Sequence, residues 1–454
     1  MGLRMLKCIA AILLMFLNLT TNASAESLVK LIHFGWNNPT IATLPNMLEK
    51  FGVSPFDGIS VIATAHDQVF TVKALPDSVD ETDYAILAKL KPGQLSNSYL
   101  VIHAATDGVF DWTDDQHWLS VLRITRSLAR LAHRGGFKGL VFDMEPYGKS
   151  PWDYATQPSH GKLAFAAFQD LVQKRGEDML QAMQEEFPGL DVFCLYGLSA
   201  MTSLLDNPSA QMTEQGYGLW PAFFGGWIKA TAPKTRIIDG NEPPYYYTTE
   251  KDFSTSKNRI AAELAQFLKP ELRADYKQKT SLGQAVFVDG IMNLHQSPRF
   301  IGYYFKTDQQ RLKYLQQNTA LGLKSADSVV WVYAEKVSWW RDGASKDIDL
   351  ALRNAKENLQ PADSVAIQSA ADAWKSRIGI GGKFVDASGK AFTPSRFKPA
   401  LAAVACSTWG DRGEYACEFP KGTTIKIEPE IEGHNLIPKK KSLNNLVQSK
   451  GGID

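Results

Sequence analysis

Short apolar runs alternate with longer amphipathic segments from residue 29 to about residue 360. The clearest run covers residues 138–145, where Leu140, Val141 and Phe142 are followed at once by polar residues. A continuous apolar run of this length is typical of a strand that is covered on both faces, as in a parallel sheet. Eight runs predict strands, and the seventh has two candidate positions: 29–36, 57–64, 99–104, 138–145, 191–196, 236–239, 285–289 or 300–305, and 328–333.

The segments between these runs have the spacing of apolar residues that favours helices. They cover residues 40–50, 81–91, 114–133, 160–187, 256–268, 311–321 and 346–359. Strands that alternate with helices indicate the α/β class and a parallel sheet, and the length fits a (β/α)8 TIM-like barrel with insertions. An open doubly wound sheet is the main alternative, but it usually carries a glycine-rich phosphate turn after its first strand. Residues 34–39, FGWNNP, lack that turn, so the barrel is favoured.

The pattern changes after about residue 365, where glycine-rich turns and short strand-like segments replace the alternation. We therefore expect a barrel domain over residues 26–362 and a small β-rich C-terminal appendage over residues 363–438. The polar, unpatterned residues 439–454 predict a disordered tail.

A targeting segment is predicted over residues 1–25. Two basic residues precede the apolar run 8–19, and small residues at 22–25 suit cleavage after Ala25. The run is too short to span a bilayer comfortably. We expect an exported protein, secreted or periplasmic, with no membrane insertion after the signal is removed. Such a compartment allows Cys406 and Cys417 to pair, whereas Cys194 lies in an apolar run and is predicted to be a buried thiol.

The composition, with 44% hydrophobic and 21% charged residues in 454, is ordinary for a globular protein. The formal net charge of +1 gives no electrostatic footprint for nucleic acid, so no such partner is expected. The sequence leaves the oligomeric state open.

Two carboxylates stand at the end of the clearest strand. Alternation along a strand puts Asp143 and Glu145 on the same side, and Pro146 then ends the strand. In a (β/α)8 barrel the carboxyl ends of the strands are where catalytic groups lie. Like charges close together raise one pKa, which suits a general acid. We interpret Glu145 as the candidate acid and Asp143 as its neighbour that shifts its pKa or orients the substrate.

Aromatic rings and further carboxylates follow the other strands, while lysine and arginine are sparse there, which argues against phosphorylated substrates. Sugar rings pack on aromatic side chains, and their hydroxyls bond to carboxylates and amides. We therefore expect a carbohydrate substrate. The candidate partners of Glu145 are Glu242, Glu335 and Asp239, and the sequence does not choose among them. The candidate substrate-binding residues are Trp36, Asn37, Tyr147, Tyr196, Asn241, Tyr245, Tyr333 and Trp339.

Three histidines, His33, His103 and His295, could approach the barrel, but none belongs to a metal-ligand motif. We interpret them as core residues with satisfied ring nitrogens. The sequence therefore predicts no metal site and no cofactor.

The stretch 137–145 resembles the fourth-strand motif of chitinase-like glycosidases, which ends G-x-x-x-D-x-E. The resemblance implies that Glu145 is the general acid and that Asp143 assists an acetamido group of the substrate; Val141 stands where that family has a further Asp. Residues 241–243, Asn-Glu-Pro, are similar to the same tripeptide of retaining barrel glycosidases, where it lies on the fourth strand rather than the sixth. Residues 34–36, 55–58 and 143–147 resemble uncharacterised exported glycosidase-like barrel proteins of environmental bacteria, which implies the same fold.

The leading hypothesis is an exported glycoside hydrolase that cleaves a poly- or oligosaccharide by carboxylate acid/base catalysis. A non-catalytic carbohydrate-binding barrel is one alternative. A metal-dependent hydrolase or lyase that uses Asp143, Glu145 and Asp239 is another.

Overall fold

The computed structural model describes residues 29–71, 81–106, 108–147, 149–207, 211–340, 346–357, 365–383, 396–399, 404–409, 414–423 and 427–430. Within them, nine parallel strands form one sheet, in the order β7-β6-β5-β4-β3-β2-β1-β9-β8. The strands are β1 Lys30–Gly35, β2 Gly58–Ile62, β3 Tyr99–His103, β4 Gly139–Asp143, β5 Asp191–Cys194, β6 Arg236–Asp239, β7 Thr280–Leu282, β8 Gln284–Phe287 and β9 Val329–Ala334.

The sheet closes on itself through the two strands at the ends of that order. Only Gly283 separates β7 from β8, and β7 pairs with β6 while β8 pairs with β9. The Gly283 N–H donates to the Asp239 carbonyl oxygen at 2.7 Å. A Cβ at Gly283 would lie 3.1 Å from the Gly240 Cα, so only glycine fits this close approach easily. Because β7 and β8 act as one bent strand, the sheet is an eight-membered barrel, and the predicted (β/α)8 fold is confirmed.

Helices surround the barrel and follow most of the predicted ranges. Residues 40–50 are an exception, because turns and a short 3-10 helix, Leu44–Asn46, replace the predicted continuous helix. The helices are α1 Leu48–Gly52, α2 Glu81–Leu87, α3 Asp115–Arg134, α4 Phe165–Glu186, α5 Thr202–Leu205, α6 Trp220–Ala230, α7 Glu250–Ala262, α8 Arg273–Lys279, α9 Val288–Ile291, α10 Asp308–Ser325, α11 Lys346–Glu357 and α12 Val365–Lys375.

An aromatic cluster packs behind β4. Phe142 stacks at 6.0 Å on Trp220, and Trp152 contacts Trp220 at 5.0 Å between ring centroids. The indole N–H of Trp152 donates to the Met144 carbonyl oxygen at 2.7 Å. All three rings are fully buried. Burial of such large rings stabilises the fold by about 1.5–3 kcal/mol each. The cluster therefore fixes the backbone directly beside Glu145.

The C-terminal region begins with a helix that the sequence pattern did not predict. Ile367, Ala370, Ala371 and Trp374 of α12 belong to the barrel's core, so the helix is part of the larger unit. A small antiparallel sheet follows, in which the predicted disulfide joins Cys406 to Cys417. Its strands are β10 Ile378–Lys383, β12 Ala405–Trp409 and β13 Glu414–Phe419, and β11 Arg396–Pro399 pairs separately with β14 Ile427–Glu430.

Two predicted segments, residues 1–25 and 439–454, lie outside the described residues. Among the helices that are described, none combines the length and the apolar character needed to cross a bilayer.

Candidate active site

A cavity of about 300 Å³ opens at the carboxyl ends of the barrel strands. Glu145 follows β4, Glu242 follows β6 and Glu335 follows β9, and all three line this one cavity. The remaining lining is mostly aromatic: Phe34, Trp36, Tyr147, Tyr245, Tyr246, Phe287, Phe300, Trp331 and Tyr333. Acidic groups that are more than 90 residues apart in the chain thus meet in one aromatic-walled cleft.

Asp143 lies beneath this cleft and is 1% exposed. Its Oδ1 accepts the Glu145 N–H at 2.9 Å, and its Oδ2 accepts the Tyr147 hydroxyl at 2.9 Å. His103 Nε2 is 3.7 Å from Asp143, while its Nδ1 is 3.1 Å from Asp67. Burial raises the pKa of Asp143, and the charge of His103 opposes that rise. Asp143 is therefore placed to orient Glu145 and Tyr147.

The Glu145 carboxyl is held from one side by tyrosines. Its Oε1 accepts the Tyr196 hydroxyl at 3.3 Å, and Tyr196 bonds in turn to the Tyr217 hydroxyl at 3.0 Å. Burial raises the pKa of Glu145 and the charge of Asp143 adds to this, whereas Tyr147 and Tyr196 lower it. The net effect raises the pKa of Glu145 above its ordinary value, and the two hydroxyls limit that rise because they stabilise the ionised form.

Glu242 has no such donors among the described residues. Burial raises its pKa to about 8, the charges of Glu145 and Asp143 add to the effect, and only the Arg299 guanidinium opposes it. At neutral pH the Glu242 carboxyl is therefore mainly protonated. Of the three glutamates, it is the one best suited to give a proton to a substrate.

The third glutamate, Glu335, pairs with a histidine. Its Oε2 lies 3.1 Å from His295 Nε2. Its backbone N–H donates to Asp289 Oδ2 at 2.9 Å, and its carbonyl oxygen accepts the Asn37 side-chain amide at 3.0 Å. Asn37 therefore positions the backbone of Glu335, a different role from the substrate contact that we predicted for it.

Two of the predicted binding residues are unusually exposed for their type. Trp36 is 71% exposed and Tyr147 is 57% exposed, and both line the cleft. Tyr245 and Tyr333, also predicted, stack on each other deeper in the cleft with their centroids 5.9 Å apart. Exposed rings beside carboxylates are a surface on which a sugar ring can pack.

Asp239 and Asn241 lie outside the cleft, so our predictions for them are corrected. Asp239 is fully buried, and its carboxylate accepts backbone N–H groups from Gly197, Ser199 and Asn241. Asn241 is also fully buried, and its side-chain amide donates to Gln284 Oε1 at 2.8 Å. Because these groups bond to the protein itself, they shape the turn that carries Glu242 but cannot reach a substrate.

Trp339 also lies outside the cleft, contrary to our prediction. It is 4% exposed, packs against His33 and Phe56, and donates its indole N–H to Asp349. His33 itself is fully buried, both ring nitrogens lack partners among the described residues, and burial lowers its pKa to about 3. His33 is a neutral core residue, but the expectation that its ring nitrogens would be satisfied is wrong.

The structure also brings to the cleft two histidines that we interpreted as core residues, and an arginine to which the sequence analysis gave no role. His295 and Arg299 line it, and His103 contacts Asp143 from below. Burial acts to lower the pKa of His103, but its contacts with Asp67 and Asp143 outweigh this and raise it. The position of His103 at the end of β3 was the available signal. No sequence signal marked Arg299, because it does not follow a barrel strand but lies beyond a turn after α9.

The C-terminal region builds one wall of the cleft. Tyr246 lies parallel to Trp374 of α12, with their centroids 6.3 Å apart. The Trp374 indole N–H donates to the Arg299 carbonyl oxygen at 2.9 Å, and Arg299 Nε lies 3.9 Å from Glu418 of β13. Arg377 also pairs with Glu418, at 3.2 Å. Tyr246 and Arg299 are thus held in place by residues that follow the last barrel strand in the chain.

The metal-dependent alternative requires Asp143, Glu145 and Asp239 to act together as metal ligands. Within the described part of the chain, no group of three or more His, Cys, Asp or Glu side chains has an arrangement that could hold a metal ion. The alternative needs Asp239 as a ligand beside Asp143 and Glu145, and its carboxylate already accepts three backbone N–H groups. The residues present therefore do not fit that proposal.

Changing Tyr196 to phenylalanine removes a hydrogen bond to the Glu145 carboxyl, so any reaction that needs the ionised form of Glu145 should have a kcat/KM about tenfold lower. The hydroxyl lowers the pKa of Glu145, so its removal raises that pKa. The acidic limb of the pH–rate profile should move to higher pH. Tyr154→Phe is the control, because its hydroxyl bonds to the Leu163 carbonyl oxygen away from the cleft. An unchanged acidic limb would contradict the prediction.

Taken together, the fold and the cleft define a (β/α)8 barrel with an acidic, aromatic-walled site at the carboxyl ends of its strands. No model of a protein family matches the chain, and no curated protein sequence matches it.

Several solved structures are similar to the chain. The catalytic domain of the major endoglucanase from Xanthomonas campestris pv. campestris is 14% identical, with 73% of this chain and 94% of that chain covered and a TM-score of 0.34. GH5_18 from Streptomyces cattleya, in complex with GlcNAc, is 10% identical over 73% and 81%, with a TM-score of 0.39. A GH18 chitinase from Pseudoalteromonas aurantia is 12% identical over 67% and 93%, with a TM-score of 0.28. At these levels of similarity the comparisons do not bear on function.

Proposed function

We propose that the protein is a glycoside hydrolase that cleaves a poly- or oligosaccharide, with Glu242 as the general acid and Glu145 as its ionised partner. The observation that carries the proposal is the convergence of Glu145, Glu242 and Glu335 on one cleft beside exposed Trp36 and Tyr147. Glycoside hydrolysis needs one protonated and one ionised carboxyl group on either side of the scissile bond. The sequence favoured Glu145 as the acid, but the surroundings of the two side chains favour the reverse assignment.

The proton transfer follows from the environments of the two groups. Glu242 carries its proton at neutral pH and gives it to the departing glycosidic oxygen. Glu145, whose ionised form is stabilised by tyrosine hydroxyls, either attacks the anomeric carbon or removes a proton from the attacking water. The configuration of the first product, read by proton NMR, distinguishes the two routes.

The other polar groups have supporting roles in this proposal. Asp143 orients Tyr147 and the backbone of Glu145. Glu335, paired with His295, lies where it can accept hydrogen bonds from sugar hydroxyls.

Export also belongs to the proposal, on the basis of residues 1–25 and the disulfide between Cys406 and Cys417. Cell fractionation of the full-length chain is the test. Recovery of most of the protein in the cytoplasm would contradict it.

The activity is tested by incubating the protein with a panel of neutral polysaccharides and oligosaccharides and measuring new reducing ends. We expect turnover by the wild type and none by the double variant Glu145→Gln/Glu242→Gln. Glu250→Gln is the matched control, because Glu250 is a surface residue on α7 that pairs with Lys324. Calorimetric binding without turnover across the panel would instead favour a non-catalytic carbohydrate-binding barrel.

A further inference from the structure

Asp239 is a fully buried carboxylate at the end of β6 that the proposed reaction does not use. It lies outside the cleft, three residues before Glu242 in the chain. Its hydrogen-bond donors are the backbone N–H groups of Gly197, Ser199 and Asn241 and the Ser199 hydroxyl. Buried N–H groups need acceptors for stability alone. The informative feature is therefore which segments of the chain these donors belong to.

One oxygen of Asp239 connects the two segments that carry the reacting groups. Its Oδ1 accepts the Gly197 N–H at 2.9 Å and the Asn241 N–H at 3.0 Å. Gly197 directly follows the tyrosine whose hydroxyl donates to Glu145 at 3.3 Å. Asn241 directly precedes Glu242. A displacement of Asp239 would therefore move the surroundings of the two glutamates relative to each other.

The backbone on both sides of Asp239 is shaped to allow this contact. A Cβ at Gly197 would lie 2.7 Å from Asp239 Oδ2, so a larger residue there would push the carboxylate away. Asn241 has a φ of 49°, in the left-handed region that residues other than glycine rarely adopt. Its side-chain amide donates to Gln284 Oε1 at 2.8 Å, which helps to hold that conformation. Strained backbone of this kind tends to occur where it serves a function.

Asp289 of α9 has a similar arrangement beside a different glutamate and provides a comparison. It is fully buried, and its Oδ2 and Oδ1 accept the N–H groups of Glu335 and Lys336 at 2.9 and 2.7 Å. Glu335 pairs with His295 and takes no part in the proposed proton transfer. The loss of Asp289 should therefore disturb substrate binding and leave Glu242 in place.

We propose that Asp239 is a positioning residue that sets the separation between the Glu145 and Glu242 carboxyls. It does not line the cleft, so it acts through the backbone of the two segments and not on a substrate. This role rests on the function proposed above, in which the distance between the two carboxyls determines whether Glu145 attacks the sugar or activates a water. Displacement of a reacting group by about 1 Å can lower a rate about 100-fold.

The test uses the variants Asp239→Asn, Ser199→Ala, Asp289→Asn and Asp191→Asn. The Asn side chain keeps the shape of Asp, but its NH2 group cannot accept an N–H as the replaced oxygen does. Ser199→Ala removes one donor and leaves the charge of Asp239 in place, and it replaces the first variant if that protein does not fold. Asp191→Asn is the matched control, because Asp191 is 3% exposed but pairs with Arg236 at the amino end of β5.

Two properties of the folded proteins are measured. The first is the pKa of Glu242, followed without substrate by NMR of isotope-labelled glutamate side chains and assigned with Glu242→Gln. The second is the pair of constants kcat and KM on the saccharide that the wild type cleaves. In Asp239→Asn the turn is released, so Glu242 becomes less buried and its pKa should fall from about 8. The value of kcat should fall about 10–100-fold with KM nearly unchanged.

Ser199→Ala should change the pKa and kcat in the same direction by less. Asp289→Asn should raise KM and leave the pKa of Glu242 unchanged, and Asp191→Asn should alter none of these values. The role of Asp239 would be overturned by an unchanged pKa of Glu242 in both Asp239→Asn and Ser199→Ala, by a lower pKa without a lower kcat, or by an equal fall of kcat in Asp191→Asn. If the wild type cleaves no saccharide, the proposed function fails, and the pKa alone decides whether Asp239 positions Glu242.

Discussion

Glu242→Gln should lower kcat for a natural saccharide by about 10²–10⁴-fold, the usual contribution of a general acid. The same variant should turn over a dinitrophenyl glycoside at nearly the wild-type rate, because this leaving group departs without protonation. The burial of Glu242 and its nearness to Glu145 and Asp143 are the reason that it holds a proton for the reaction. Initial rates on both substrates, measured side by side, make the comparison.

The pH dependence of activity, compared between the wild type and Glu242→Gln, gives a second test. The acid must carry its proton, and the pKa of Glu242 is raised to about 8, so wild-type activity on the saccharide should fall as pH rises through about 8. That alkaline limb should be absent from the residual activity of Glu242→Gln. Equal losses on both substrates, with the alkaline limb retained, would remove Glu242 from the role of acid.

The raised pKa of Glu242 should also make the free energy of unfolding depend on pH. Because the pKa of Glu242 rises from 4.5 to about 8 on folding, the contribution of this carboxyl to the free energy of unfolding is greatest below about pH 4.5 and declines as pH rises through 8. Glu242→Gln should lose this component of the decline. Urea unfolding of both proteins at several pH values measures the difference.

Glu145→Ala should abolish turnover of the saccharide and of the dinitrophenyl glycoside alike, by at least about 10⁴-fold, since good leaving groups cannot replace a nucleophile or base. The reason is the role of nucleophile or base that we propose for its carboxyl, to which the Tyr196 hydroxyl donates a hydrogen bond. Added azide should restore turnover of the activated substrate. The anomeric configuration of the glycosyl azide then shows on which face of the sugar ring the Glu145 carboxyl acts.

Glu335→Ala is the matched comparison, because Glu335 lines the same cleft but is paired with His295. Its loss should raise KM more than it lowers kcat. If Glu335→Ala instead shows the complete loss that azide reverses, and Glu145→Ala retains activity, then the two residues have exchanged roles and our assignment is wrong.

The barrel and the convergence of its acids could be predicted from sequence because both depend on local patterns. The apolar run before Asp143 and Glu145 is enough to predict a buried strand, and parallel strands bring their carboxyl ends to one edge. The seventh strand was harder to place, because Gly283 divides it into two short pieces that pair with different neighbours.

The roles of individual carboxylates could not be predicted, because they depend on neighbours that are distant in sequence. Asp239 and Glu242 are three residues apart, yet backbone N–H groups surround the first while the second faces the cleft without a donor. Trp339 likewise looked similar to Trp36, but only the latter is exposed. Sequence spacing carries no information about which side of a turn is covered.

The brace formed by Trp374, Arg299 and Glu418 bears on how short a working version of this protein can be. A fragment that ends after α11 would keep all nine strands of the barrel and all three glutamates. It would lose the neighbours that hold Tyr246 and Arg299 in place. A closed barrel therefore needs fewer residues than a complete cleft. In truncation or domain-swap designs, the terminal strands should not be treated as a detachable module.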